Sequence, residues 1–262
     1  MTDPDRRFRS TVQHYLQGRL RYPEPLIAAV AAAVGLDGEL RVLDLGCGPG
    51  FLAVAFGRHA GEVVAVDPEP EMLAAARQAA ADAPGRFRFV PGSSATLGPD
   101  LGRFRLVTMG RSFHWMDRER TLATLDTLVE PQGGVALFAD RHPEAPENAW
   151  HAGWRAVRER FAERDPRLDH RDHERVLRRS AFSEVRRLTE RYRREASVDE
   201  LVARALSAST TSPEVLGDAR AAFEAELRTS VAPYALDGVV SELVEAEALL
   251  ARRPMAGDDG SC

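Results

Sequence analysis

The chain predicts an α/β fold in which a mostly parallel sheet carries helices on both faces. Three observations lead there. The segment Arg41–Gly50, RVLDLGCGPG, is a short apolar run that passes straight into a glycine-rich turn. A second apolar run, Val63–Val66, ends in Asp67, 23 residues after Asp44. Further apolar runs then alternate with helical stretches as far as residue 139. Strand, glycine turn, helix, strand, acid is the order of a βαβ unit that holds a nucleoside.

Composition narrows the class. Apolar residues make up 44% of the 262 positions and aromatics 7%, enough for a core without covalent staples. No stretch of 18 uninterrupted apolar residues occurs, which argues against a helical membrane span. The N-terminal MTDPDRRFRSTVQHY lacks the apolar core of a signal peptide. The two cysteines, Cys47 in the turn and Cys262 at the last position, do not suggest a disulfide, so a reducing cytoplasm is expected. A formal net charge of -5 argues against a nucleic-acid partner. All 35 basic residues are arginine, which together with abundant alanine, glycine and proline points to a GC-rich bacterial coding sequence. Any mechanism that needs a lysine is excluded.

The elements follow in order. Residues 4–17 read as a helix, with Pro4 near its start and Gly18 as a stop. Residues 19–25 are extended, because residues before proline avoid the α region. Residues 25–35 form an alanine-rich helix ending at Gly35. Strand one is 41–45 and its helix 50–59; strand two is 62–67 and its helix 69–82. Strand three is 86–91, strand four 104–109, the next helix 117–130, and Pro131-Gln132-Gly133-Gly134 separates it from strand five at 135–139. Residues 141–180 then read as a helical insertion without a strand. A strand near 185–193, helices near 198–208 and 213–230, and a last strand within 239–252 complete the reading. One domain over 1–253 is expected, with an N-terminal segment 1–39, the insertion 141–180 as a lid, and a disordered tail 254–262. Between 155 and 195, 14 arginines meet nine acids. That reads as a solvated helix laced with i,i+4 pairs, the alternative being an anion-binding patch.

Glycine spacing bears on the cofactor. A dinucleotide fingerprint wants G-x-G-x-x-G, but Phe51 occupies the place of the third glycine and Pro49 removes an N–H that would bind phosphate. The turn suits a ligand without phosphates. A Walker loop is absent, since no GK[ST] occurs.

At these residues the chain resembles the class I S-adenosylmethionine (SAM) dependent methyltransferases. Asp44-Leu45-Gly46-Cys47-Gly48-Pro49-Gly50 is similar to their D/E-x-G-x-G-x-G motif, and Asp67 to the acid that holds the ribose hydroxyls. A carboxylate accepts two hydrogen bonds from a cis-diol, the physical reason for an acid there. Leu128–Val135 is similar to the family's turn before strand five. Met109–Trp115, MGRSFHW, narrows the resemblance to the small-molecule branch often called type 11, as does the Arg21-Tyr22-Pro23 element. The resemblance covers residues 41–139 well and the C-terminal half weakly.

The resemblance implies a Rossmann-like three-layer sandwich, with a seven-stranded sheet whose last strand is antiparallel. Segments 185–193 and 239–252 would supply strands six and seven. It implies Gly46, Gly48 and Gly110 beside SAM, Asp44 toward its ammonium, Asp67 on the ribose, Pro68 or Glu69 flanking the adenine, and Ser93 and Ser94 at the adenine edge. Relatives place an acid near Ser94, so adenine contact there is weaker in this chain. Tyr15, and Arg21 or Arg19, are candidates for the SAM carboxylate. Methyl transfer needs an in-line nucleophile and in some cases a base. His114, after strand four, is the first candidate base and His151 the second, the alternative for His114 being a pocket-shaping role beside Phe113 and Trp115. Tyr22, Phe113, Trp115, Trp150 and Trp154 are candidates to meet the substrate, Trp150 and Trp154 because i,i+4 neighbours share a helix face. No metal is expected. His170 and His173, with Asp169 and Asp172, do not complete a metal shell.

The expected function is SAM-dependent methylation of O, N or C on a small metabolite, a natural-product intermediate fitting best, by a monomer or homodimer. The alternatives are a non-methylating SAM enzyme such as a cyclase or decarboxylase, an inactive SAM-binding protein, and a nicotinamide oxidoreductase.

Overall fold

The computed structural model describes residues 11–163 and 172–254. The first elements are α1 (Val12–Gly18), α2 (Glu24–Ala33), β1 (Arg41–Leu45), α3 (Phe51–Phe56), β2 (Glu62–Asp67), α4 (Pro70–Ala80), β3 (Phe87–Pro91), β4 (Phe104–Gly110), α5 (Arg118–Leu128) and β5 (Val129–Arg141). Then follow α6 (His151–Phe161), α7 (His173–Leu177), β6 (Glu184–Ser197), α8 (Val198–Leu206), α9 (Pro213–Leu216), α10 (Arg220–Val231) and β7 (Val239–Arg252). The strands form one seven-stranded sheet in the order β3-β2-β1-β4-β5-β7-β6. Strands β1 to β5 pair in parallel, and β7 runs antiparallel to both β5 and β6. This is the expected Rossmann-like sheet with a reversed last strand.

Alternation along the central strands builds the three layers. Val42, Val63, Leu106 and Phe138 pack under α2 and α3, while Leu43, Val64, Val107 and Leu137 pack under α5 and α7. Both faces of these strands are covered, so they read as continuous apolar runs. Helix starts follow local chemistry: Pro70 opens α4, the Asp117 carboxylate caps the Arg120 N–H at 3.1 Å, and the Ser197 hydroxyl caps the Glu200 N–H at 3.0 Å.

Several boundaries differ from expectation. The N-terminal helix is seen over Val12–Gly18, and residues 4–10 of its expected span lie outside the described residues, as do 255–262 of the expected tail. Strand β5 starts at Val129 rather than 135, because it pairs Phe104 with Val129 and resumes at Leu106 with Gly134. The intervening Pro131-Gln132-Gly133 is a bulge within the strand rather than a turn before it. Strand β6 runs to Ser197, well beyond 193, and stays paired with β7 as far as Val239. Past the end of β5 at Arg141 the two form a free-standing antiparallel ribbon.

That ribbon carries a helical cap. Trp150, Trp154 and Val157 of α6 and its lead-in pack with Leu201 and Ala205 of α8, Phe223 and Leu227 of α10, and Val240 of β7. The lid is therefore built from the insertion after β5 together with the helices between β6 and β7. Among the described residues most arginines of the 155–195 stretch are paired, several across the β6 edge: Arg187 bridges Glu174 and Glu247, and Arg191 meets Glu245. Charges on an edge strand discourage edge-to-edge pairing.

The N-terminal segment is strapped beneath this cap. The Arg204 Nε of α8 donates to Gly18 O at 2.9 Å, Arg19 Nε to Ser207 Oγ at 2.7 Å, and the Tyr22 hydroxyl to Phe138 O at 3.2 Å. A Cβ on Gly18 would overlap the backbone nitrogen of Arg204, so only glycine permits this approach. Gly18→Ala should therefore lower stability by about 1–3 kcal/mol. Gly98→Ala, where a Cβ meets nothing within 4 Å, should stay within about 0.5 kcal/mol of the parent. Urea unfolding of both variants checks this; equal stability would show that the strap yields.

Candidate functional site

The glycine turn sits at the carboxyl end of β1, where open α/β sheets bind ligands. Gly46, Gly48 and Gly50 hold φ of 68°, 54° and 84°, a left-handed path that other residues adopt at a cost. The Gly46 and Cys47 N–H groups donate to Val66 O at 2.8 and 3.0 Å, fixing the turn to β2. A Cβ on Gly46 would sit 2.7 Å from Ser112 Cβ, whereas one on Gly48 would enter open space. That space belongs to a cavity of about 330 Å³, within the range of small-molecule sites.

Two carboxylates flank the turn with different environments. Asp67, 7% exposed, accepts the Gly48 N–H at 2.7 Å and the Glu69 N–H at 2.9 Å, and lines the cavity. Burial raises its pKa against the pull of those two N–H groups. Asp44, 1% exposed, accepts the Ala53 N–H at 3.0 Å and the Thr108 hydroxyl at 3.0 Å, bracing α3 against β4. Burial pushes its carboxyl up to about 7, and the Asp67 charge adds to the rise.

Of the other expected cofactor residues, Tyr15, Pro68, Ser93, Ser94 and Gly110 line the cavity. Ser93 caps a short 3-10 turn by accepting the Ala95 N–H at 3.3 Å. Arg21 does not reach inside: it is exposed and its guanidinium lies over Phe51, 4.6 Å from the ring centre. The interior arginine of that segment is Arg19.

The expected substrate and base residues divide. Trp115 lines the cavity, and Tyr22 lines a small recess beside Asp44. Phe113, 2% exposed, is a core residue beneath α5 and α7. Trp150 and Trp154, 1% and 4% exposed, are also core, with indole N–H groups donating to Ser241 O at 3.0 Å and Leu201 O at 3.2 Å. Their shared face closes the cap and does not present an aromatic surface to a substrate. His114 is not among the residues lining the cavity; its ring stacks 6.4 Å from His173. His151 stacks on His142 at 4.8 Å and on Trp154 at 5.7 Å. Burial, then His142 and nearby arginines, push His151 down to about 4. Among the described residues no cluster of His, Cys, Asp and Glu could hold a metal; His170 and Asp169 lie outside them.

Arg111 is a candidate site residue that the sequence reading passed over. It follows β4 with φ of 57°, a conformation rare outside glycine, and lines the cavity. Its guanidinium pairs with Asp140, donates to Leu20 O at 2.8 Å and lies 4.9 Å from the centre of the Tyr22 ring. Its Nε is buried with no hydrogen-bond partner. A charged residue directly beyond an apolar strand was the available signal.

This geometry makes a candidate ligand site: a glycine cradle open on one side, a carboxylate at the end of β2, and Arg111 lining the same cavity. Residues 42–133 match a family model described as a methyltransferase domain. The chain is 32% identical over 143 residues, 52% of its length and 53% of the relative's, to an uncharacterised methyltransferase of Mycobacterium bovis. It is 50% identical over 137 residues, 52% of its length and 49% of the relative's, to the trans-aconitate 2-methyltransferase of Mycobacterium sp. strain KMS. The solved SAM-dependent methyltransferase of Thiobacillus denitrificans, in complex with S-adenosyl-L-homocysteine, shares the fold with a TM-score of 0.52 at 13% identity, covering 94% of this chain and 97% of its own. The chain spans about half the length of the curated relatives it matches. Residues 42–133 are thus similar to a methyltransferase domain, and the fold is shared with a solved SAM-dependent methyltransferase.

The Asp44 carboxyl gives a pH signature. Its folded pKa of about 7 lies above the ordinary 3.8, so the unfolded chain releases this proton first as pH rises. Stability of the ligand-free protein should then fall between about pH 4 and pH 7 and level off above. Asp44→Asn, which keeps an acceptor for Ala53, should lack that decline. Parallel urea-unfolding profiles of parent and variant from pH 4.5 to 8 would refute the assignment.

Proposed function

We propose that the protein transfers a methyl group from SAM to an O, N or C atom of a small-molecule acceptor. The observation that carries this reading is the pairing of Asp67 with the open side of the Gly48 turn inside one cavity. Asp67 would accept the ribose hydroxyls, and Gly46 and Gly48 would let the backbone approach the methionyl part. Pro68, Glu69, Ser93 and Ser94 would border the adenine. Asp44 and Tyr15 would face the amino-acid end, where Arg111, which lines the cavity, would donate to its carboxylate. Gly110 closes the floor: a Cβ there would meet Leu52 Cδ1 at 2.8 Å.

When bound, SAM supplies a methyl carbon activated by sulfonium, and the electron pair of the broken C–S bond stays on sulfur as the nucleophile's lone pair takes the carbon. The chain's part would be to align the two reactants and exclude water, the strap contributing Tyr15 to the cavity wall. Trp115, Ser112 and Met116 form the wall on the β4 side, where an acceptor would enter. His114 and His151 stand as base candidates only if the acceptor draws them in. A net charge of -5 supports a small molecule over a nucleic acid, and no described helix is long and apolar enough to cross a membrane. The unpaired, buried Cys47 supports the reducing cytoplasm the sequence suggests.

Calorimetric titration tests the donor half. SAM and S-adenosylhomocysteine should bind at micromolar concentration and NAD should not. Asp67→Ala should weaken both by at least about tenfold, roughly 1.4 kcal/mol; an unchanged affinity would remove Asp67 from the site. Formation of S-adenosylhomocysteine over a panel of hydroxyl, amine and carboxylate metabolites tests the transfer itself. Trans-aconitate, named in one relative, belongs in that panel.

A further inference from the structure

Four arginines converge where the cap meets the N-terminal strap, and two of them are neutralised. Arg204 is engaged by Glu242 and Glu200, and Arg111 by Asp140. Arg19 and Arg158 have no carboxylate at ion-pair distance among the described residues. Arg19 donates to neutral oxygens, Ser207 Oγ at 2.7 Å and Ser207 O at 3.3 Å, with its guanidinium 5.4 Å from the centre of the Tyr15 ring. The Arg158 guanidinium lies 4.6 Å from the centre of the Trp154 ring, and its Nε is sealed from solvent with no hydrogen-bond partner. Among the described residues, the other arginines of the 155–195 stretch without an ion pair, Arg175, Arg179 and Arg186, stand exposed.

Unpaired cations held close together in a partly dry setting cost stability. Burial, with Arg19 and Arg204 adding, pushes Arg158 down to about 10; burial, with Arg111 adding, lowers Arg19 too. Retained strain of this kind is typical of a ligand site. The patch adjoins the donor cavity through Tyr15, which lines the cavity and lies under Arg19. No histidine is among the described residues lining that cavity. An acceptor oxygen already ionised at neutral pH needs no base.

We propose that Arg19 and Arg158, with His151 beside them, anchor an acceptor that is a small acid with two or more carboxylates. This rests on the methyl-transfer reading. One carboxylate takes the paired N–H donors of a guanidinium, whose planar fork matches it. A second offers an oxygen to the donor. Its lone pair forms the C–O bond as the C–S bond breaks, the C–S electrons remain on sulfur, and no proton is released. The product is a methyl ester with S-adenosylhomocysteine.

The test is calorimetry with citrate and succinate, with and without saturating S-adenosylhomocysteine, and with neutral triethyl citrate as control. The acids should bind, more weakly as NaCl rises, and the ester should not. Arg158→Met should bind citrate at least tenfold more weakly with S-adenosylhomocysteine affinity unchanged, and Arg158→Gln should do the same. Its ligand-free melting temperature should hold or rise, because an unpaired cation is gone; a merely structural stacking role predicts a fall. Cofactor binding without binding of either acid, or citrate affinity unchanged in Arg158→Met, overturns the inference. Failure of S-adenosylhomocysteine itself to bind would count against the donor reading, while the citrate arm without it still reads the anion subsite.

Discussion

The guanidinium of Arg204 is the point on which the upper half of the molecule depends. It donates to Gly18 O, to both carboxylate oxygens of Glu242 and to Glu200, and His142 Nε2 lies 2.8 Å from the same Glu242 carboxylate, joining strap, ribbon and cap in one network. A buried ion pair is favourable only when its remaining donors and acceptors are satisfied. Here they are: burial opposes the Glu242 charge, yet His142 and Arg204 hold its carboxyl down to about 2. The network explains why α1 ends at a glycine and why the ribbon of β6 and β7 outruns β5. The first brings the Gly18 carbonyl and the second the Glu242 carboxylate to Arg204, and the strap so placed puts Tyr15 beside the glycine turn.

Satisfaction at Arg204 sharpens the contrast with its neighbours. Within the same region Arg111 keeps a left-handed backbone and an orphaned Nε, and Arg158 keeps another orphaned Nε. A fold that provides a full shell of partners for one arginine and leaves two neighbours incomplete is locally inconsistent in the manner expected of sites that await a ligand. Both lie on the strap and cap side. The sheet core beneath buries Val42, Val63 and Leu106 completely.

Sequence legibility follows the same division. Strands β1, β2 and β4 were readable because each buries a continuous apolar run between two helical layers, β3 because its residues alternate, and the glycine turn because three left-handed positions need three glycines. Asp67 was readable from its place at the end of β2. The cap was not. The i,i+4 spacing of Trp150 and Trp154 correctly gave them one face, but spacing cannot say whether that face meets a core or a ligand. Their partners Leu201, Phe223 and Val240 come from residues 47 or more positions away in the chain. Arg158 was hidden among 14 arginines of similar local context, and only the tertiary arrangement separates it from those with acids across the β6 edge.

The base question turns on the same arrangement. A histidine after strand four was the natural proton acceptor from chain order alone, yet the His114 ring is taken up by Trp115 and His173 at the far side of that short turn. The groups that do line the donor cavity are carboxylates, hydroxyls, an arginine and apolar walls. Asp67 and Asp44 are already accepting backbone or hydroxyl protons, and proton abstraction would compete with the bonds that shape the turn. Chemistry at this cavity is therefore easiest for a nucleophile that arrives deprotonated. An unneutralised cationic wall favours that ionisation state in its ligand, because it stabilises an acid's charged form and lowers its pKa on binding. Acceptor docking and acceptor activation would then be one electrostatic event, assigned to the arginines rather than to a histidine.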